Sequence, residues 1–150
     1  MREQVIERIE KEKLIAIVRG VSADQCSKVA NALYAGGVRL MEITYNQKDP
    51  ASWQQTAEAI GALTEEFGGK MLFGAGTVTN VELVELTHAH GGKYIISPDT
   101  NVDVIKRTVE LGMVSLPGAM TPTEVMTAHA AGADFVKLFP AGDLGVSYLK

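Results

Sequence analysis

A chain of 150 residues that is 46% hydrophobic and 21% charged carries enough apolar surface for one domain with a substantial core. Its formal net charge of -4, with no block of like charges, argues against nucleic acid or a membrane surface as a partner. The single cysteine, Cys26, excludes an internal disulfide and a cysteine-built metal site; with no signal-like apolar segment and no run of about 18 apolar residues, the expected location is the cytoplasm.

The charged opening, Met1-Arg2-Glu3-Gln4-Val5-Ile6-Glu7, reads as helix. Apolar runs of strand length then recur at 14–18, 38–44, 71–75, 94–97, 114–116 and 135–139. After the first of them, Cys26, Val29, Ala30 and Leu33 fall at i, i+3, i+4 and i+7, the stripe of an amphipathic helix. Ser22 with Gln25 reads as its capping box, and Thr79 with Glu82 repeats the device. It returns as Thr121-Pro122-Thr123-Glu124, with Pro122 at the first helical position. Helix ends are also alike: Gly36-Gly37, Gly91-Gly92, Gly112 and Gly132 each offer a residue tolerant of positive φ shortly before an apolar run. The chain is therefore a repeat of strand and helix, about 20 to 30 residues per unit.

Alternating strands and helices predict a parallel sheet covered by helices, either doubly wound or a (β/α)8 barrel. The strands end again and again in polar or special residues: Arg19-Gly20, Glu42 and Thr44, Gly76-Thr77, Ser97-Pro98, Pro117-Gly118, and Lys137 through Pro140. A barrel brings all these ends to one mouth, whereas an open sheet uses only its switch point, so the distribution favours the barrel. Eight strands and at least about 200 residues are usual for that fold. The expectation is thus a single barrel domain over residues 1–150, C-terminally incomplete, with about six β/α units present and the last residues entering a sixth helix.

The run 135–139 reads as a buried strand with one lysine in it. Phe135, Lys137 and Phe139 share one face, and Val136 and Leu138 the other. Burial disfavours an ammonium unless it is paired, and a neutral amine forms Schiff bases with ketones. The structural alternative is that Lys137 meets a carboxylate or reaches out to solvent. Glu42, on an otherwise apolar strand, and Arg19, at a strand end, read alone as ion-pair partners or as strand-end residues facing solvent. Beside Lys137 and the Thr77 hydroxyl they become a set able to bind a keto acid, attack its carbonyl and move protons. Gly74-Ala75-Gly76-Thr77-Val78-Thr79 lacks the third glycine of a dinucleotide fingerprint and reads as a turn that lets a small ligand or anion approach the backbone. His88, His90 and His129 sit on helices without converging spacing and read as surface residues.

Taken in order, Ile15-Ala16-Ile17-Val18-Arg19, the segment 35–44 ending in Glu42-Ile43-Thr44, Gly74-Ala75-Gly76-Thr77-Val78, Ile96-Ser97-Pro98, Leu116-Pro117-Gly118, Thr121-Pro122-Thr123-Glu124 and Val136-Lys137-Leu138-Phe139-Pro140-Ala141 resemble the 2-keto-3-deoxy-6-phosphogluconate (KDPG) and 4-hydroxy-2-oxoglutarate (KHG) aldolase family. The resemblance implies a class I aldolase on a (β/α)8 barrel, a homotrimer with no cofactor and no metal, acting in carbohydrate metabolism. By position, Lys137 resembles the Schiff-base lysine and Glu42 the general acid/base. Thr77 resembles a residue that holds the pyruvyl carboxylate, Arg19 a substrate contact at the mouth, and Pro98 and Phe139 pocket walls. The implied substrate is 2-dehydro-3-deoxy-6-phosphogluconate, cleaved to pyruvate and glyceraldehyde 3-phosphate. The alternatives are a preference for unphosphorylated 4-hydroxy-2-oxoglutarate and a non-catalytic keto-acid-binding barrel. One departure is Asn46, where the family commonly carries a carboxylate-binding arginine; Arg19 or Lys48 would have to compensate. The family's phosphate site, after strands seven and eight, is not represented by residues of this chain.

Overall fold

A computed structural model describes residues 1–149, with Ala23 described by its backbone alone. Among the described residues seven short strands alternate with helices, except that β6 follows β5 directly: α1 (Arg2–Glu12), β1 (Ala16–Val18), α2 (Ala23–Ala35), β2 (Leu40–Thr44), α3 (Trp53–Phe67), β3 (Leu72–Gly76), α4 (Val81–Ala89), β4 (Tyr94–Ile96), α5 (Val102–Glu110), β5 (Val114–Leu116), β6 (Gly118–Ala119), α6 (Pro122–Ala130), β7 (Lys137–Leu138) and α7 (Ala141–Leu144). Single 3-10 turns cover Pro50–Ser52 and Val146–Leu149. All pairings are parallel, in the order β1-β2-β3-β4-β5, with β6 paired to β7. Pro117, which has no N–H to give, separates β5 from β6. The two occupy one strand position, so the chain forms six positions of a (β/α) barrel, as expected.

Alternation along the strands divides the core in two. Inside the curved sheet lie Leu40, Tyr94, Ile96, Val114 and Leu116, closed from below by Val5 and Ile9 of α1. Outside it, Met41, Ile43, Phe73, Ala75 and Ile95 meet the helices, where Ile60, Leu63 and Phe67 of α3 recur at helical spacing. Truncating a fully buried side chain such as Leu40 to alanine should cost about 2–5 kcal/mol.

Helix ends follow the glycines. Gly37, Gly91, Gly112 and Gly132 all have positive φ, which only glycine adopts without penalty. Thr121 and Glu124 form the expected reciprocal capping box, with Pro122 at the first helical position. The other two boxes are corrected. Ser22 is the N-cap of α2 but makes no side-chain cap bond. Asn80, not Thr79, caps α4, accepting from Leu83 N–H at 3.0 Å; Thr79 instead donates its hydroxyl to Gln47 Oε1 at 2.9 Å. The strand expected over 135–139 is also shorter and less buried than anticipated. Only Lys137–Leu138 are strand, both are half-buried, and Phe139 is 41% exposed. The physical reason is one-sided pairing: β7 bonds to β6, and no other described strand lies against it.

Candidate functional site

Glu42 lies in the middle of β2, pointing to the inner face with Leu40, and is 2% exposed. Gly76 on the neighbouring strand makes the room: a β-carbon there would stand 2.8 Å from both Cδ and Oε2 of Glu42. Oε2 is buried and accepts no hydrogen bond from the described residues. An ionised carboxyl without donors is costly away from water. Burial accordingly pushes the Glu42 carboxyl above the usual carboxylate range, while the Lys137 ammonium and the Arg19 guanidinium pull it back.

Lys137 and Glu42 face one cavity of about 200 Å³, lined otherwise by Ile15, Ile17, Ile96 and Leu116. Four apolar side chains thus surround one acid and one amine. The ammonium nitrogen of Lys137 lies 4.7 Å from the centroid of the Phe139 ring, a cation–π distance. Lys137 is half-buried, not enclosed as its sequence context suggested. Below the acid, Tyr94 is fully buried and donates its hydroxyl to Met41 O at 2.7 Å, one residue before Glu42.

At the rim, Arg19 Nη2 donates to Thr77 Oγ1 at 3.4 Å. Thr77 has φ +58°, a left-handed conformation that is rare for a β-branched residue. Its carbonyl accepts from Gln47 Nε2 at 2.7 Å, which ties this turn to the loop after β2. Such strain tends to accumulate at functional turns.

The other expected site residues do not line the cavity. Pro98 is half-buried, and its carbonyl lies so close to Gly118 that a β-carbon there has no space. Phe139 supports the lysine from the side and is not a lining residue of the cavity. Asn46 is exposed; it borders a separate cleft of about 340 Å³ with Ser22, Thr44 and Asp49, and its Oδ1 accepts from Lys48 N–H at 3.0 Å. Sequence reasoning missed Tyr94 and the steric role of Gly76. A tyrosine on an inner strand face and a glycine inside a strand were the available signals.

Comparison with known proteins shows the family and the fold. The family model described as KDPG and KHG aldolase matches residues 5–150. The 2-dehydro-3-deoxy-6-phosphogalactonate aldolase of Escherichia coli (strain K12) is 37% identical over 93% of this chain and 65% of its own length. The 2-dehydro-3-deoxy-phosphogluconate aldolase of Treponema pallidum (strain Nichols) is 33% identical over 94% of this chain and 64% of its own. Of solved structures, one described as native KDPGal superposes with a TM-score of 0.81 at 36% identity, covering 90% of this chain and 63% of that one. A KDPG aldolase from Legionella pneumophila, with pyruvate captured as a covalent carbinolamine intermediate, gives a TM-score of 0.78 at 25% identity, covering 90% and 63%. The chain therefore spans a little under two thirds of the length of the relatives it matches.

Proposed function

The chain belongs to the KDPG and KHG aldolase family, and from that membership we propose that it works as a class I aldolase, cleaving a 2-keto-4-hydroxy acid to pyruvate and an aldehyde. The supporting observation is the shared cavity: the Lys137 amine and the Glu42 carboxyl line one apolar space of about 200 Å³. The neutral amine attacks C2 of the keto acid, water leaves, and the protonated imine becomes an electron sink. Glu42, through one water molecule, takes the proton of the C4 hydroxyl, and the C3–C4 bond electrons flow into the imine to give an enamine. Protonation at C3 and hydrolysis release pyruvate and restore the lysine. Arg19 and Thr77, joined at the rim, bind the substrate carboxylate, a role in which a guanidinium offers two parallel donors.

For the substrate we assign a 2-dehydro-3-deoxy-6-phosphohexonate, whose aldehyde product is glyceraldehyde 3-phosphate. The galactonate epimer stands ahead of the gluconate epimer because relatives named for it match at 37% and 39% identity over 93% and 89% of this chain, against 33% over 94% for one gluconate relative and 34% and 35% over 75% for two others. Steady-state pyruvate release by the full-length protein tests this, with both C4 epimers and unphosphorylated 4-hydroxy-2-oxoglutarate as substrates. The reading requires the highest kcat/KM on a phosphorylated epimer. Pyruvate binding without release from any of the three would instead mark a keto-acid-binding barrel.

A further inference from the structure

Among the described residues, the strand that presents Lys137 is fastened along one edge only. Asp134 and Phe135 both donate N–H to Ser115 O (3.1 and 3.2 Å), Lys137 to Pro117 O (2.9 Å) and Phe139 to Ala119 O (3.1 Å). A bond in the opposite direction comes from a side chain: Ser115 N–H donates to Asp134 Oδ2 at 2.9 Å. That carboxylate is gripped from the far end of the chain by Arg2 of α1. Arg2 Nη2 lies 2.7 Å from Asp134 Oδ1, and Arg2 Nε donates to Oδ2 at 3.3 Å. Nη2 also donates to Gly132 O at 3.4 Å. The Asp134 side chain is only 7% exposed, so the pair is shielded on the carboxylate side. Two nitrogens of one guanidinium meeting two oxygens of one carboxylate fix an orientation as well as a distance, which a point charge does not do.

Neither residue lines the cavity that holds Glu42 and Lys137. Their effect has to run along the backbone. Asp134 and Lys137 are three positions apart, about 10 Å of extended chain. A segment held on one side, half-buried and short, opens locally at less cost than the sheet as a whole unfolds. An anchor on its leading end limits that opening.

We propose that Arg2 and Asp134 are positioning residues for Lys137: their fork-to-fork pair, locked onto Ser115 N–H, sets the register in which β7 delivers the amine to the cavity. The helix that closes the bottom of the barrel thereby also holds the strand that carries the reactive group at its top. The proposal rests on the aldolase reading of Lys137 given above. Losing the clamp leaves Glu42 and the four apolar lining side chains in place but lets the amine withdraw.

The test is the rate at which borohydride traps a pyruvate adduct on Lys137 in the full-length protein, per folded molecule, across a range of pyruvate concentrations. Arg2→Met removes the fork. Asp134→Asn keeps an oxygen for Ser115 N–H while removing the charge that holds Arg2, and serves where Arg2→Met does not fold. Because a misplacement of about 1 Å can cost on the order of a hundredfold in rate, both variants should trap about ten- to a hundredfold more slowly at saturating pyruvate. The half-saturating concentration should stay within about twofold, since Arg19, Thr77 and the apolar lining that bind pyruvate are not touched. A merely structural role would lower the folded fraction without changing the rate per folded molecule. Wild-type rates in both folded variants overturn the clamp alone; absence of any adduct in the wild-type protein overturns the aldolase reading and the clamp together.

Discussion

The carboxyl group of Glu42 fills the space that a side chain on Gly76 would need, with both Cδ and Oε2 only 2.8 Å from the position of a β-carbon there. The third strand thus gives up a side chain so that the second can seat an acid in an apolar interior. Gly76→Ala should push the carboxyl out of line. Overpacking of this kind costs about 1–3 kcal/mol, so the variant should remain folded with a lowered melting temperature. Its kcat should fall by about a hundredfold or more, in the range of a lost general base. A variant with full turnover would remove the link between Gly76 and the acid's position.

Glu42→Gln separates the two chemical roles. Turnover should drop by roughly 10²–10⁴-fold, while adduct formation between Lys137 and pyruvate persists, because attack on the ketone precedes carbon–carbon cleavage. Parallel measurement of pyruvate release and of borohydride trapping decides it. Unchanged turnover would take the acid/base role away from Glu42.

The same substitution has a stability signature. Burial raises the proton affinity of Glu42 in the folded state above that in the unfolded chain. Its contribution to stability is therefore fully present below the ordinary carboxylate range and is lost as the pH rises through the raised folded value. Glutamine does not ionise. The melting temperature of Glu42→Gln should thus gain on that of the wild type as the pH rises from the ordinary carboxylate range through the interval above it. A difference that stays flat across that interval would mean the carboxyl is not desolvated.

Arg19 bears on the pH dependence of catalysis. Its guanidinium pulls the Glu42 carboxyl down, against burial. A base must be ionised to act, so the acid limb of kcat/KM should lie above the ordinary carboxylate range, and Arg19→Met should move it to still higher pH. The variant also loses its bond to the Thr77 hydroxyl, which should raise KM for the keto acid. A limb that does not move would place Arg19 outside the electrostatics of the acid.

Thr77 carries backbone strain, at φ +58°. Glycine removes a steric cost of about 1–3 kcal/mol and adds about 0.4–1 kcal/mol of unfolded-state entropy. Thr77→Gly should melt no lower than the wild type yet lose about tenfold or more in kcat/KM, with the hydroxyl gone from the rim. A lower melting temperature with full activity would assign the threonine to structure alone.

Much of this architecture left local marks in the chain. The glycines that end helices could be read because positive φ restricts the residue choice, and Gly37, Gly91, Gly112 and Gly132 all adopt it. Glu42 and Lys137 could be read because a charge inside an apolar strand is conspicuous wherever the strand folds. Thr79 and Asn80 show the limit: both are good caps, they are adjacent, and the local pattern does not say which one the helix uses. Ser22 shows another, since a capping pattern permits the side-chain bond without requiring it. Thr77 gave no sign of its conformation, because local sterics argue against a β-branched residue there. The Arg2–Asp134 pair spans 132 positions, and no spacing rule connects residues so far apart. The half-exposed setting of Lys137 was equally hidden, since it depends on which strands flank β7 and not on the residues of β7 itself.

The central claim is that carbon–carbon cleavage begins at the Lys137 amine. Its most direct measurement is borohydride reduction of the full-length protein in the presence of pyruvate, followed by peptide mapping of the modified residue. One reduced pyruvyl group per chain, located on Lys137 and absent from Lys137→Met, is the predicted result. A folded wild-type protein that gains no mass, or that gains it on another lysine, would contradict the account.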